Sequence, residues 1–345
     1  MGAPTPSAPN PSRRPRHCGS PGPDPIGCGF VRAVTIVDGD LRWVEHPDPV
    51  PGDTELVVAV RAAGINNADL MQRLGFYPAP AGFPPDIPGM EFAGEVVATG
   101  ARTTRFSIGD RVMAVVGGGA QAELAVVDER VALPVPTDIT WAEAGGFPEA
   151  FSTVYDALFT QCGLAVGERV LVTGAAGGVG SAGVQLAAAT GARCVASVRH
   201  AKLRDAVATL GAIAADPDEA LGLGPFDVVL ELVGASSISG VLGAMAVSGR
   251  ISVIGVGAGA RAEIDLLAVM QRRLRISGST LRPRSLVEKA IVAAGVERHV
   301  VPLLAAGEVR VVLEATFPMD RAGEAYERFA EGGKLGKIVL VPPHP

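Results

Sequence analysis

The chain has 345 residues, 48% of them hydrophobic, which is enough for two domains with cores of their own. Thirty basic against 36 acidic side chains give a formal net charge of −6, which removes any general electrostatic pull toward nucleic acid or anionic lipid. Gly, Arg or Asp interrupts every apolar run, so no membrane-spanning helix is expected, and Cys18, Cys28, Cys162 and Cys194 lie too far apart for a four-cysteine zinc site or a disulfide framework, making a reducing cytoplasm the simplest setting.

Residues 1–30 hold eight of the 27 prolines and show no apolar periodicity, so they are expected to form a disordered extension. Arg13 and Arg14 are not followed by the apolar stretch an export signal needs. Regular structure starts abruptly at Val31, which suggests a translation start there, with valine encoded by an alternative start codon. From Val31 to about Trp141 the chain reads as short strands punctuated by Gly and Pro: Arg32 to Val37, Glu55 to Ala63, Gly89 to Thr99, Arg111 to Val116 and Ala122 to Val127.

At Arg169 the pattern changes to apolar strand, glycine turn, Ala-rich helix and apolar strand, the rhythm of parallel βαβ units. Strands are expected at Val170 to Thr173, Arg193 to Val198, Phe226 to Leu232, Arg250 to Val256 and Leu274 to Ser277. Helical segments follow Arg282. Two further strands, Arg310 to Phe317 and Lys337 to Val341, are expected to return to the first domain, because no crossover helix is evident to keep them in the parallel sheet.

The sharpest local signal is Val170-Leu-Val-Thr-Gly174-Ala-Ala-Gly177-Gly178-Val179-Gly180, followed by a helical run from Ser181 to Ala189. Gly174 and Gly177 remove Cβ atoms where the strand turns and where backbone N–H groups would approach a pyrophosphate; Gly180 permits close helix packing. Flexible or packing glycines imitate such a pattern, but its place between an apolar strand and a helix points to dinucleotide binding. At the end of the next strand, Ser197-Val-Arg199-His-Ala-Lys202 offers no acid for a ribose 2′-OH and three donors for a 2′-phosphate, so NADPH is expected rather than NADH. The alternative is that Arg199 and Lys202 only solvate the start of the next helix.

The succession Ala62-Ala-Gly-Ile-Asn66-Asn-Ala-Asp69-Leu-Met, Pro88-Gly-Met-Glu91-Phe-Ala-Gly94-Glu, Gly109-Asp110-Arg-Val and the glycine turn resembles zinc-independent medium-chain dehydrogenases, specifically NADPH:quinone oxidoreductases related to zeta-crystallin. Asp69-Leu-Met-Gln-Arg73, Pro148-Glu149-Ala150, Leu281-Arg-Pro-Arg284 and Gly336-Lys337-Ile-Val-Leu340 resemble the branch containing the tumour-suppressor-inducible quinone reductase. The resemblance covers Val31 to the C-terminus. It implies an α/β protein with a GroES-like catalytic domain, residues 31–142 and 283–345, and a Rossmann domain, residues 143–282, with substrate entering between them. Zinc-dependent relatives place a Cys where this chain has Asn66 and a His where it has Met90, so no metal is expected; neither an amide nor a thioether replaces thiolate or imidazole well.

Without a metal, the acceptor of a hydride must already tolerate negative charge, as a quinone or a conjugated enone does. By the resemblance, Asn66 donates an amide N–H to the acceptor oxygen, or else only stabilises a turn. Tyr77 aligns with a tyrosine near nicotinamide and substrate, or only packs beside Pro78. Thr153 resembles a threonine facing the nicotinamide, against the alternative of a helix residue bonding back to a carbonyl. Gly234, Gly255 and the segment Thr280-Leu-Arg282 fall at later strand ends, where ligands collect in such sheets. Lys334 stands where relatives carry a polar cofactor contact, although they often have Asn or Ser there.

The five histidines show no HExxH spacing, and no Gly-x-Ser-x-Gly elbow occurs, so hydrolase chemistry lacks its parts. The main expectation is an NADPH:quinone oxidoreductase. Reduction of enones or enoyl thioesters is the enzymatic alternative, and a non-catalytic NADPH-binding regulatory or structural protein the alternative of another class. Relatives commonly dimerise through edge strands of their Rossmann sheets, and Leu274 to Ser277 could serve for this.

Overall fold

In the computed structural model, residues 29–343 are described. The extension expected over residues 1–30 lies outside them except for Gly29 and Phe30, and Phe30 already opens the first strand. Phe30–Val37 (β1) pairs antiparallel with Asp40–Pro47 (β2). Asp38 and Gly39 both have positive φ, as a two-residue turn between twisted strands requires.

Glu55–Gly64 (β3), Glu91–Thr99 (β4), Arg111–Val115 (β5), Leu124–Asp128 (β6) and Ala132–Pro134 (β7) build an antiparallel sheet in which β3 pairs with β4 and β6, β4 with β5, and β5 with β7. Val58, Val60, Phe92, Met113 and Leu133 fill its core. Burying such side chains stabilises by about 1.5–3 kcal/mol each.

The second sheet contains Arg169–Val172 (β8), Arg193–Ser197 (β9), Ala212–Ala215 (β10), Phe226–Glu231 (β11), Met245–Val253 (β12) and Arg275–Gly278 (β13). Its order is β10-β9-β8-β11-β12-β13, and every pair is parallel. The order reverses direction between β8 and β11, which opens a crevice at the carboxyl end of β8. The glycine turn leaves the sheet there and enters the helix Gly178–Ala189.

Leu313–Pro318 (β14) and Lys337–Val341 (β15) extend the first sheet: β15 pairs antiparallel with β3 through Val339 and Gly64, and β14 pairs with β15. These two strands are parallel to each other, and the helix Ala322–Ala330 supplies the crossover that the sequence reading had not recognised. One continuous apolar core links the two sheets, running through the stacked rings of Phe147 and Phe151, whose centroids are 4.4 Å apart.

Candidate active site

The end of β3 delivers Asn66 to the start of the helix Asn67–Arg73. Asn66 is buried and its side chain has two partners. Lys337 Nζ donates to Asn66 Oδ1 at 2.6 Å, and Asn66 Nδ2 donates to Glu91 Oε1 at 2.9 Å. Lys337 Nζ also reaches Glu91 Oε1 at 2.5 Å and the carbonyl of Ile65 at 3.3 Å, which uses all three ammonium protons. Because the lysine can only donate, it fixes which way the Asn66 amide faces. One Nδ2–H goes to Glu91; the second has no partner among the described residues.

Glu91 is fully buried at the start of β4, and its Oε2 accepts the backbone N–H of Glu149 at 2.8 Å. Glu149 opens the helix Pro148–Tyr155, and one turn later Thr153 Oγ1 donates to Glu149 Oε1 at 3.1 Å. Thr153 therefore does bond backward, but to a carboxylate and not to a carbonyl. Burial pushes the Glu149 carboxyl up to about 7, with Lys337 and Thr153 opposing and Glu91 and Asp69 adding to the rise. Asp69 is raised by burial to about 6 although it accepts backbone N–H groups from Asn66 at 2.8 Å and Gly89 at 3.1 Å.

The glycine turn lies against this cluster through Lys337. Gly336 N donates to the carbonyl of Ala176 at 2.8 Å, and a Cβ on Gly178 would stand 2.3 Å from Lys337 Cδ. Gly174 takes a left-handed conformation, φ +59°, and a Cβ on Gly180 would meet its carbonyl oxygen at 2.4 Å. A Cβ on Gly177 would find nothing nearer than 3.5 Å, so that side of the turn stays open. Gly177, Gly178 and Val179 remain partly exposed at the start of the helix, where backbone N–H groups lack intrahelical acceptors. This cradle fits a dinucleotide pyrophosphate.

The other expected cofactor residues occupy the same rim in different ways. Ser197 is buried at the end of β9, with its carbonyl accepting from Ala175 N, while Arg199 and Lys202 are exposed just beyond it. Gly234 and Gly255 follow β11 and β12, where added Cβ atoms would strike Gly259 O at 2.6 Å and Leu232 O at 2.2 Å; close backbone packing by itself accounts for both glycines. Thr280 is exposed after β13. Lys334 folds back over the ring of Phe329 at 3.7 Å and donates to the Phe329 carbonyl. A Cβ on the neighbouring Gly333 would come within 3.8 Å of His200 Nε2, so the C-terminal loop passes beside the loop after β9.

Tyr77 is part-buried and backed by Arg282, the last residue of the Thr280-Leu-Arg282 segment after β13. The Arg282 guanidinium lies 5.0 Å from the Tyr77 ring centroid and donates to the carbonyls of Tyr77 and Gly117 and to Gln72 Oε1. Arg284 forms a two-pronged pair with the buried Asp156, which also accepts from Ser279 Oγ at 2.5 Å. A cavity of about 900 Å³ lies between β1, the loop around Phe83 and the segment from Arg282 to Lys289; it borders neither Asn66 nor the glycine turn.

Glu91, Glu149 and Lys337 are the site residues that sequence reasoning missed. All three sat in quoted motifs, but no local spacing links positions 91 and 337. Among the described residues no three His, Cys, Asp or Glu side chains are arranged to hold a metal ion, and no helix is long and apolar enough to cross a membrane.

Comparison with known proteins places these features. Residues 52–137 match the alcohol dehydrogenase GroES-like domain, and residues 205–340 match the zinc-binding dehydrogenase domain. The chain is 30% identical over 320 residues to a chloroplast envelope quinone oxidoreductase homologue of Arabidopsis thaliana, covering 88% of this chain and 94% of that protein. It is 34% identical over 313 residues to the polyketide synthase GfsB of Streptomyces halstedii, covering 88% of this chain but spanning only 5% of the synthase. The crystal structure of an alcohol dehydrogenase superfamily protein from Novosphingobium aromaticivorans superposes with a TM-score of 0.82 at 26% identity, covering 91% of this chain and all of that one. With a GroES-like domain, a Rossmann-like parallel sheet and a quinone oxidoreductase relative matched along nearly its full length, the chain belongs to the medium-chain dehydrogenase/reductase family of oxidoreductases.

Proposed function

We propose that this chain is an NADPH-dependent oxidoreductase that reduces a quinone without zinc. One observation carries the reading: Lys337 and Glu91 hold the Asn66 amide so that one N–H is left for an acceptor oxygen, and the same Lys337 side chain passes against the glycine turn at Gly178. When bound, NADPH supplies the hydride. The chain's own part is to bind, orient and stabilise. Gly174, Gly177, Gly178, Val179 and Gly180 take the pyrophosphate, Ser197, Arg199 and Lys202 the 2′-phosphate, and Thr153 the nicotinamide; Gly234, Gly255, Thr280 and Lys334 line the rest of the groove. Asn66 polarises the acceptor, and Tyr77, backed by Arg282, closes its other side.

The donor set supports zinc independence. An amide at Asn66 and a thioether at Met90 are poor zinc ligands, and the Lys337 ammonium already neutralises Glu91 at 2.5 Å. We further propose the domain division 31–142 with 283–345 against 143–282, a cytoplasmic setting, and a homodimer formed at the free edge of β13. Exposed Leu266, Leu267, Met270 and Ile276 near that edge favour the last of these.

The test is steady-state oxidation of NADPH and NADH with naphthoquinone, phenanthrenequinone and an α,β-unsaturated ketone, alongside metal analysis. Turnover of quinones with NADPH preferred, and no bound zinc, is expected. No oxidation above background with any acceptor would refute the reading. Reduction of a conjugated thioester or ketone is the second reading, favoured by the match to a segment of a polyketide synthase; faster turnover of the enone than of either quinone would select it.

A further inference from the structure

We propose that the cavity between β1, the Phe83 loop and the segment from Arg282 to Lys289 is a binding site for a long-chain carboxylate, with the head on Lys289 and Arg282 and the tail along β6. The inference does not depend on the oxidoreductase reading, because the cavity borders neither Asn66 nor the glycine turn. Its volume of about 900 Å³ falls in the range of sites that enclose a small molecule, about 300–1,000 Å³. Every residue of β6 borders it, and Val31, Ala33, Ile87, Val116 and Val131 add apolar wall.

Positive charge at one end of the cavity lacks a bonded acid. Arg282 is 2% exposed, yet its guanidinium donates only to neutral acceptors, the carbonyls of Gly117 and Tyr77 and Gln72 Oε1. Asp69 acts on it from a distance, with its own oxygens bonded to the backbone N–H groups of Asn66 and Gly89. Lys289 is part-buried, and among the described residues its Nζ has neither a hydrogen-bond acceptor nor an acid partner; it lies 5.6 Å from the centroid of the Phe83 ring. Burial and the neighbouring Arg282 both push the lysine below its usual pKa. Removing a cation from water without a counter-charge is costly, and an anion bound between these two groups offsets that cost.

The acids around the cavity do not supply the missing charge. Asp156 is taken by Arg284, and Glu288 by the backbone N–H and hydroxyl of Ser285. Glu55 accepts from Gly52 N and Asp128 pairs with Arg130 and Thr54, both at the far end of β6. Asp86 lies on the β1 side, where its carbonyl accepts from Ile36 N, and its carboxylate exerts no pull on Lys289 or Arg282. Three of the five Arg282 N–H groups are used, but none of the three on Lys289. A singly charged head accepts from both cations, and the aliphatic wall takes an apolar chain. A phosphate head, with about −1.5 to −2 charge, exceeds the one cation whose donors are all free.

The experiment titrates the full chain, without dinucleotide, with dodecanoate, dodecanol and dodecyl phosphate below their micellar concentrations, by calorimetry. Dodecanoate should bind more tightly than either of the others. Lys289→Met should weaken dodecanoate by about 10- to 100-fold, the value of a hydrogen bond to a charged group, and leave dodecanol unchanged. Phe83→Trp places an indole beside Lys289, and its emission should shift as dodecanoate saturates the site. No binding of dodecanoate, equal affinity for dodecanol, or wild-type affinity in Lys289→Met would overturn the proposal, and tighter binding of dodecyl phosphate would overturn the carboxylate assignment. Should Lys289→Met fail to fold, an emission in Phe83→Trp that dodecanoate leaves unmoved would overturn the site. A chain that takes dodecanoate as expected but binds no NADPH would overturn the oxidoreductase reading and support this site.

Discussion

Lys337 crosses the start of the helix Gly178–Ala189 so closely that a β-carbon on Gly178 would lie 2.3 Å from the lysine Cδ. The glycine at this point of the turn thus serves the lysine's path as well as any ligand. Gly178→Ala is expected to displace the aliphatic stem of Lys337, strain its contacts with Asn66 and Glu91, and destabilise the fold by about 1–3 kcal/mol, as overpacking does. Dinucleotide affinity should weaken at the same time. Thermal unfolding and calorimetric titration of the variant check both effects; a variant that melts and binds like wild type would show that the lysine can take another route.

Removing the cation itself should cost more. Lys337 and Glu91 side chains are 5% and 0% exposed, so Lys337→Met leaves a carboxylate with no counter-charge in the interior. Breaking such a pair from one side costs about 3–5 kcal/mol. The double variant Lys337→Met, Glu91→Gln should recover part of the loss, because no unpaired charge remains. A double-mutant cycle by urea unfolding measures this, and additive losses would argue that the two side chains do not interact as their geometry requires.

The same pair marks where the sequence was legible and where it was not. Strands with an alternating or continuous apolar face, such as β3 and β4, were readable because burial follows from composition. β2 was missed since Asp40-Leu-Arg-Trp-Val-Glu-His-Pro presents no buried face; it is held by its hairpin with β1. β10, Ala212–Ala215, is three alanines and one isoleucine at a sheet edge and carries almost no signal. The glycine turn was readable because its chemistry is local. The Lys337–Glu91 contact spans 246 positions and exists only once β15 has paired with β3. The partners of Arg282 were equally opaque, since Gln72, Tyr77 and Gly117 lie far from it in sequence.

Cofactor choice is expected to turn on the exposed residues after β9. Arg199 is exposed, and the nearest polar group of another side chain is the ring of His200 at 3.5 Å, which leaves the guanidinium available for a 2′-phosphate. A hydrogen bond to a charged group contributes about 1.5–3 kcal/mol, so Arg199→Glu should raise the KM for NADPH by about 10- to 100-fold, with a smaller change for NADH. Both constants come from initial rates with one quinone. An unchanged NADPH preference would move the 2′-phosphate contact to Ser197 or Lys202.

The loop bearing Thr280 and Arg282 is anchored from behind by Asp156, and this anchor gives a pH signature opposite in sign to that of Glu149. Asp156 begins the π-helical turn Asp156–Gln161 and accepts from both Arg284 terminal nitrogens and from Ser279 Oγ. Burial alone would raise its pKa, but those donors outweigh burial and hold the carboxyl below its usual 3.8. Stability from this group is therefore complete above the unfolded-state value and is lost as pH falls through the lower folded-state one. Glu149, raised from 4.5 to about 7, behaves in reverse: its contribution is complete in acid and fades as pH rises from about 4.5 to 7. Asp156→Asn should cost about 1.5–3 kcal/mol at neutral pH and progressively less below pH 4, whereas Glu149→Gln should differ most from wild type at the alkaline end. Urea unfolding of the three proteins from pH 3 to pH 8 separates the two curves. If the Asp156→Asn difference were the same at both ends of that range, the Arg284 pair would not be what holds the loop against the helix.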